Sequence, residues 1–318
     1  MRVDAAAEGN SAQTYTDEVI MNNRPRAPLL VTVNVTGVCN LQCSYCYFQP
    51  RLRSHMGFDD FQMTLNVLQE QEIFLLTLSG GEPFLHPRIN DMLRLAHEAF
   101  EHASILTNGT ALQDVHFETI AEIVRKKGFF PIQVSVDSTD PRINDSTRGN
   151  TSLVLKNLLK LRDAGASITA AIVISSQNID RIEETIGSLV NVTRHFHVMP
   201  IKPVLFLNGT DSHLQVEPKR MDEVWNRLIS LRDRYKIRVR TPVDDPCTRV
   251  ETSAEGAPCM AGFTKLAIDP NLDVRPCDKC VSTVVGNLRE QTLEEIWHGD
   301  RLADIYQRGV SYCISGAR

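Results

Sequence analysis

The sequence lacks the features of several protein classes. None of its apolar runs reaches the roughly 18 residues that a membrane-spanning helix needs. The N-terminal stretch MRVDAAAEGN has no apolar signal-peptide core. A formal net charge of −5 leaves no basic excess for nucleic acid. We therefore expect a soluble, cytoplasmic protein with no nucleic-acid or membrane partner.

Cysteine is also scarce, with eight residues in 318, which is far below the density of a disulfide scaffold. Three of the eight nevertheless crowd into GVCNLQCSYCYF as Cys39, Cys43 and Cys46, directly after the β-branched run LLVTVNV. Because cytosolic thiols stay reduced, such a cluster favours metal binding or chemistry over disulfides.

The rest of the chain alternates apolar, strand-like runs with helical patterns. Six such runs lie between residue 29 and about residue 201, and the stretches between them place apolar residues three and four apart. This alternation predicts βαβ units and a parallel sheet. The length suits one large domain with a small appendage.

The C-x3-C-x2-C spacing lies where the first strand ends, which is the edge of a parallel α/β sheet where active sites collect. Three thiolates on a short loop can hold three corners of a four-iron cluster and leave the fourth corner open. A zinc site and three unrelated buried thiols are the alternatives. Zinc normally takes four N or S ligands, so three cysteines count against it.

Four stretches in strand order resemble the radical S-adenosylmethionine (radical SAM) superfamily. They are the cysteine motif with Tyr45 before its last cysteine, LSGGEPFLHP (78–87), ILTNGT (105–110) and SVDSTDPRINDSTRG (135–149). The resemblance spans about residues 29–200. It implies a partial (β/α)6 barrel, with a [4Fe–4S] cluster on Cys39, Cys43 and Cys46. Its open iron would bind SAM, which one electron cleaves to a 5′-deoxyadenosyl radical that abstracts a substrate hydrogen.

The resemblance also implies a set of SAM-binding residues. They are Tyr45, Gly80, Gly81, Glu82, Thr107, Asn108, Ser135, Asp137 and Arg148. The glycines would let backbone approach the methionine moiety, and Glu82 would balance the SAM amino group. Ser135 and Asp137 would reach the ribose hydroxyls from one face of the fourth strand, and Arg148 would pair with the carboxylate. Plain packing, turn, cap or surface roles are the alternatives.

The last third of the chain holds the other five cysteines and resembles the SPASM and twitch extensions of radical SAM enzymes over about residues 255–313. This resemblance implies one auxiliary [4Fe–4S] cluster. Its expected ligands are Cys259, Cys277 and Cys313, with Cys280, or alternatively Cys247, as the fourth. A zinc site and free thiols are the alternatives. The family's turn glycine is Leu272 here, so we expect Asn271 to supply the turn.

Asp278 follows Cys277 as the aspartate of a CD pair does in sulfatase-maturing relatives, so it is a candidate proton acceptor; a solvated turn aspartate is the alternative. We expect three parts in the chain: an N-terminal tail over 1–28, a barrel over 29–235 and an auxiliary-cluster domain over 236–318.

The expected function is radical modification of a peptide or protein side chain by oxidation, cross-linking or epimerisation. The alternative is a dehydrogenase or epimerase of a small molecule such as an aminocyclitol, sugar or nucleoside, and a non-catalytic iron–sulfur or SAM-binding module ranks below both. The electron donor would be a flavodoxin or ferredoxin.

Overall fold

The computed structural model describes residues 24–46, 48, 53–201, 212–241, 261–280 and 283–308. The predicted ligands Cys247, Cys259 and Cys313 lie outside these ranges.

In the described ranges, ten strands form one sheet. The strands are β1 (Leu30–Thr36), β2 (Leu75–Gly80), β3 (Ala103–Thr107), β4 (Pro131–Ser135), β5 (Ser167–Ile174), β6 (His195–Pro200), β7 (Arg238–Arg240), β8 (Lys265–Ile268), β9 (Asp273–Arg275) and β10 (Gly286–Asn287). The first six match the six runs that the sequence predicts, which confirms an α/β fold with a parallel sheet.

Helices follow the strands of the sheet. In the part of the chain that the structure describes, they are α1 (Phe58–Glu70), α2 (Ile89–Ala99), α3 (Asp114–Lys127), α4 (Pro141–Thr147), α5 (Thr151–Asp163), α6 (Ile182–Leu189), α7 (Pro218–Tyr235), α8 (Leu293–His298) and α9 (Asp300–Arg308), with short 3-10 turns at Pro83–Leu85, Ile179–Arg181 and Ser212–Leu214. None of the helices in the described ranges combines the length and apolar character needed to cross a bilayer.

Strands β1 to β7 lie side by side in chain order and run parallel. Along β1, Val31, Val33 and Val35 are fully buried and share one hydrophobic core with Phe61 and Leu65 of α1. Because successive side chains of a strand point to opposite faces, the residues between these valines face the other side of the sheet. That side holds the candidate site.

The C-terminal segment continues the same sheet at its other end. Strand β8 pairs in parallel with β1, Leu30 facing Lys265 and Val33 facing Ile268. Strands β9 and β10 then add antiparallel pairs. The cysteine-bearing appendage is therefore joined to the strand from which the three-cysteine loop leaves.

The β8–β9 hairpin differs from its expected turn chemistry. The left-handed residue is Leu272, with φ of 69°, and not Asn271. A leucine in this conformation costs about 1–2 kcal/mol. Its side chain is fully buried in the core, which offsets the cost. Asn271 supports the turn with its side chain, whose Nδ2 donates to Asp273 Oδ2 at 2.7 Å.

The stretch TLEEIWHGDRLADIYQR, whose capping box Thr292-x-x-Glu295 predicts the start of one final helix, forms two helices instead. The expected capping box is present, with Thr292 Oγ1 accepting from Glu295 N at 3.2 Å. Gly299 then takes an extended conformation, with ψ of 153°, and separates α8 from α9.

The start of the described chain packs on α8. Trp297 Nε1 donates to the carbonyl oxygen of Pro25 at 2.9 Å, and the Arg24 guanidinium lies 3.9 Å from the centre of the indole ring. Residues 24–26, at the end of the expected N-terminal tail, thus pack on the C-terminal part of the chain.

A buried ion pair joins the hairpin to β1. Asp269, 4% exposed, pairs with Arg275 of β9 and accepts from Asn34 Nδ2 of β1 at 2.9 Å. Both hydrogen-bond partners of this carboxylate are therefore held in the sheet, one on each side of the β1–β8 junction.

We expect Asp269→Ala to lower the free energy of unfolding by about 3–5 kcal/mol, because it leaves the Arg275 charge buried without its partner. Urea denaturation followed by circular dichroism measures this. Asp163→Ala is the matched control, since its pair with Arg162 is exposed at the surface and should contribute less than about 1 kcal/mol. Equal effects of the two substitutions would contradict a special role for the buried pair.

Candidate functional site

A cavity of about 210 Å³ opens at the carboxyl ends of β2 to β6. This volume accommodates a small organic ligand and not only an ion or a few waters. The lining residues are Cys39, Cys43, Tyr45, Cys46, Ser79, Gly80, Gly81, Leu106, Thr107, Asn108, Gln133, Ser135, Arg148, Ala171, Val173, Met199, Pro200, Ile201 and Lys279. All three clustered cysteines therefore face one space, together with most of the residues singled out as SAM contacts.

The cysteine loop and the glycine motif are held against each other. Gly81 N donates to Thr36 O and Glu82 N donates to Val38 O, each at 2.8 Å. A Cβ atom would lie 2.1 Å from Thr36 O if added at Gly80, and 2.2 Å from Val38 O if added at Gly81. The backbone atoms that require glycine at these two positions thus belong to the end of β1 and to the start of the cysteine loop.

The thiols of Cys39, Cys43 and Cys46 are partly shielded from water, and nearby charges affect their pKa values. Burial raises the pKa of Cys39, Cys43 and Cys46, to about 11 for Cys46. The negative charge of neighbouring thiolates adds to the shift for Cys39 and Cys46, and the charge of Asp137 adds to it for Cys43. Iron binds the deprotonated form, so cluster loading must displace protons from these sulfurs.

These residues fit a four-iron cluster. Three sulfurs on one loop face a shared cavity, and soft thiolates are the ligands that iron–sulfur clusters take. Within the described ranges, no three His, Cys, Asp or Glu side chains surround a point suited to a single metal ion. That is compatible with a cluster, in which each thiolate binds a different iron.

Glu82 lies behind the cavity wall and not in it. Its side chain is fully buried and accepts from Phe84 N at 3.1 Å, from Thr107 Oγ1 at 2.7 Å and from Asn108 N at 2.7 Å. Burial outweighs these hydrogen bonds and raises the pKa of Glu82 to about 7. In this structure the carboxylate positions Thr107 and Asn108, which do line the cavity.

Asp137 is placed in the same way. It is 1% exposed, accepts from the Tyr45 hydroxyl, from Thr147 Oγ1 at 3.1 Å and from Val173 N at 3.1 Å, and lies 3.0 Å from Arg148 Nε. Ser135 lines the cavity, whereas Asp137 lies below it. The carboxylate holds Tyr45 and Arg148, with the Arg148 guanidinium 5.2 Å from the centre of the Tyr45 ring.

Several lining residues were not singled out from the sequence. Gln133 lies two positions before Ser135 on β4, so strand alternation from Ser135 would have found it. Its Oε1 lies 3.1 Å from Nδ1 of His197 on β6. Met199 and Pro200, at the end of β6, also line the cavity.

The C-terminal segment reaches the cavity through Lys279, which lies between Cys277 and Cys280. Both cysteines are buried, and Cys280 N donates to Cys277 O at 3.2 Å. A hydrogen bond from the Cys280 thiol lowers the pKa of Cys277, which favours the ligand form of this thiol. Asp278 is half-buried and is not among the lining residues.

Comparison with known proteins gives two domain matches. Residues 33–189 match the radical SAM superfamily, and residues 259–314 match SPASM, an iron–sulfur cluster-binding domain. These families bind [4Fe–4S] clusters and SAM.

Two curated relatives match most of the chain. The subtilosin biosynthesis protein AlbA of Bacillus subtilis is 25% identical over 94% of this chain and 66% of its own length. The mycofactocin maturase MftC of Mycolicibacterium smegmatis is 22% identical over 87% of this chain and 71% of its own. The chain thus spans just under two thirds of the first of these relatives.

Among solved structures, SuiB of Streptococcus suis bound to the precursor peptide SuiA matches with a TM-score of 0.74. The match covers 92% of this chain and 70% of SuiB, at 18% identity. At this identity the match supports the fold alone.

The raised pKa of Glu82 predicts a pH-dependent stability. In the unfolded chain this carboxyl group ionises near pH 4.5, but in the folded chain it ionises only near pH 7. The contribution of Glu82 to the free energy of unfolding is therefore fully present below about pH 4.5 and falls by about 3 kcal/mol as the pH rises to 7.

We expect Glu82→Gln to remove this fall between pH 5 and 7, whatever its effect on absolute stability, as measured by urea denaturation at a series of pH values. Glu295→Gln is the control. Its carboxylate is exposed and its pKa is lowered by hydrogen bonds from Thr292, so the fall should persist. An unchanged slope in Glu82→Gln would refute the assignment.

Proposed function

Because the chain belongs to the radical SAM superfamily and carries a C-terminal SPASM domain, we propose that it is a maturase that modifies a side chain of a peptide or protein. The reaction starts with abstraction of a substrate hydrogen and ends in oxidation, cross-linking or epimerisation. It uses SAM, and a flavodoxin or ferredoxin supplies the electron in the cytoplasm.

One observation carries this proposal: Cys39, Cys43 and Cys46 face the same cavity as Gly80 and Gly81 of the glycine motif. When bound, the cluster and SAM would supply the electron transfer and the 5′-deoxyadenosyl radical. The chain's own task is to hold both groups, to orient the substrate and to exclude water.

Different residues of the cavity wall carry out these tasks. Thr107 and Asn108 are presented by the buried Glu82, and Tyr45 and Arg148 are presented by the buried Asp137. We assign the four presented residues to SAM binding and the two carboxylates to positioning. Leu106, Ala171, Val173 and Met199 add an apolar wall that keeps water away from a reactive radical.

A peptide substrate is supported by the relatives. AlbA acts in subtilosin biosynthesis, MftC is a mycofactocin maturase, and SuiB binds a precursor peptide. The proposed barrel and auxiliary domain, 29–235 and 236–318, also form one sheet across β1 and β8. A substrate in the cavity would therefore meet Lys279 of the second domain as well as the barrel walls.

Cys277 and Cys280 would hold the auxiliary [4Fe–4S] cluster, with Cys259 and Cys313 completing its ligands. Since Lys279 lies between the two described ligands and lines the cavity, this cluster would stand beside the substrate. It could there accept the second electron of an oxidation, with Asp278 as the proposed proton acceptor.

We expect the reconstituted protein to release 5′-deoxyadenosine from SAM under a strong reductant, and Cys43→Ala to release none, because it removes one of the three cluster ligands. Liquid chromatography measures the product. Ser44→Ala is the matched control on the same loop: its Oγ is buried without a hydrogen-bond partner, so its removal should leave release intact.

If the unsubstituted protein releases no 5′-deoxyadenosine from SAM, the proposed radical reaction is refuted. The substrate class is then tested by co-expressing the protein with any short peptide that proves to be encoded beside its gene. Mass spectrometry and chiral amino-acid analysis detect loss of hydrogens or epimerisation. Turnover of a sugar, aminocyclitol or nucleoside, with no change in the peptide, would favour the small-molecule alternative.

The auxiliary cluster predicts an iron content of about eight per chain after anaerobic reconstitution. The double variant Cys277→Ala/Cys280→Ala should hold about four, because only the cluster on the N-terminal loop then has its ligands. Iron and sulfide assays measure both values. An iron content of about four per chain in the unsubstituted protein would exclude the auxiliary cluster.

A further inference from the structure

Next to Cys39, three side chains form a closed ring of hydrogen bonds. Asn108 Nδ2 donates to Asn40 Oδ1 at 2.9 Å, Asn40 Nδ2 donates to Thr110 Oγ1 at 2.9 Å, and Thr110 Oγ1 donates to Asn108 Oδ1 at 2.7 Å. The ring joins the cysteine loop to the turn after β3.

The backbone N–H of Thr110 determines in which direction the hydrogen bonds of the ring run. Thr110 N donates to Asn108 Oδ1 at 2.8 Å, and a backbone N–H can only donate. The Asn108 carboxamide therefore cannot be flipped, since its NH2 group would then meet this donor. Because Thr110 is buried, this hydrogen bond holds the Asn108 carboxamide in one orientation.

In this orientation, one amide hydrogen of Asn108 points toward the sulfur of Cys39. Asn108 Nδ2 has two hydrogens, and the ring uses only one of them. The same nitrogen lies 3.8 Å from Cys39 Sγ, within the range of an N–H···S hydrogen bond. Leu41 N donates to the same sulfur at 3.5 Å, so Cys39 Sγ is an acceptor for two fixed donors.

The hydrogen-bonding environment of the Cys46 sulfur differs from that of the Cys39 sulfur. Its sulfur lies 3.3 Å from the carbonyl oxygen of Phe48, to which only a thiol hydrogen can donate. The loop thus holds one cysteine whose sulfur receives hydrogen bonds and one whose sulfur faces an acceptor. Such an asymmetry distinguishes the irons that these thiolates would bind.

We propose that Asn108, oriented by Asn40 and Thr110, raises the reduction potential of the cluster on this loop by donating a hydrogen bond to Cys39 Sγ. The inference rests on the proposed function, in which this cluster receives an electron. Reduction adds negative charge to the cluster and its sulfurs, so a fixed N–H donor stabilises the reduced form more than the oxidised form. In addition to its proposed place in the SAM site, Asn108 would thus act on the cluster through Cys39.

The test is a redox titration of the reconstituted protein, followed by electron paramagnetic resonance. In the unsubstituted protein, the signal that changes on adding SAM identifies the cluster with the open iron and separates it from the auxiliary cluster; the same signal is then followed in the variants without SAM. We expect Asn108→Ala to shift the midpoint potential of this signal to a more negative value. Thr110→Val should shift it in the same direction by less, since the backbone N–H of residue 110 still holds Asn108 Oδ1.

Asn191→Ala is the matched control, because it removes the same carboxamide from an exposed turn between α6 and β6; it should leave the potential unchanged. An unchanged potential in Asn108→Ala would overturn the inference. If that variant takes up no iron, the potential of Thr110→Val decides in the same way.

The two proposals fail separately. A native protein with no SAM-responsive signal would refute the proposed function. A SAM-responsive signal whose potential is the same in all variants would refute only the role of Asn108. A merely structural role for Asn108 would lower the iron content without moving the potential of the clusters that form.

Discussion

The parallel pairing of β1 with β2 is the constraint on which the candidate site depends. It brings the end of β1 so close to the turn after β2 that Thr36 O and Val38 O accept from the backbone of Gly81 and Glu82. No Cβ fits at Gly80 or Gly81. The cysteine loop and the glycine motif are thus one backbone unit, and the position of the three sulfurs follows from strand pairing rather than from side-chain contacts.

Two carboxylates support this unit from below. Glu82 and Asp137 are buried, and between them they hold four of the residues that line the cavity, three through their side chains and Asn108 through its backbone N–H. Asp137 is compensated by Arg148, whereas Glu82 has only neutral donors and its pKa rises to about 7. The site is therefore built from rigid, solvent-excluded polar groups, a form of preorganisation that costs stability where a charge lacks a counterion.

Much of the fold was predictable because its signals are local. Six apolar runs became β1 to β6, and the capping box at Thr292 is present. Short, polar β7 was missed because only its pairing with β6 makes it a strand. Asn271 was expected to make the hairpin turn, but buried Leu272 adopts the left-handed conformation because core packing outweighs local preference.

The sequence by itself determined the family, the cofactor chemistry and the residues near it, because motif spacing on a regular βα repeat dictates which loops meet at the carboxyl edge. Only the tertiary structure decided which of those residues face the cavity. It placed Glu82 and Asp137 behind the wall, brought Lys279 to the cavity and closed the ring around Asn108. Side-chain direction and contacts between distant segments depend on packing, and no local spacing encodes them.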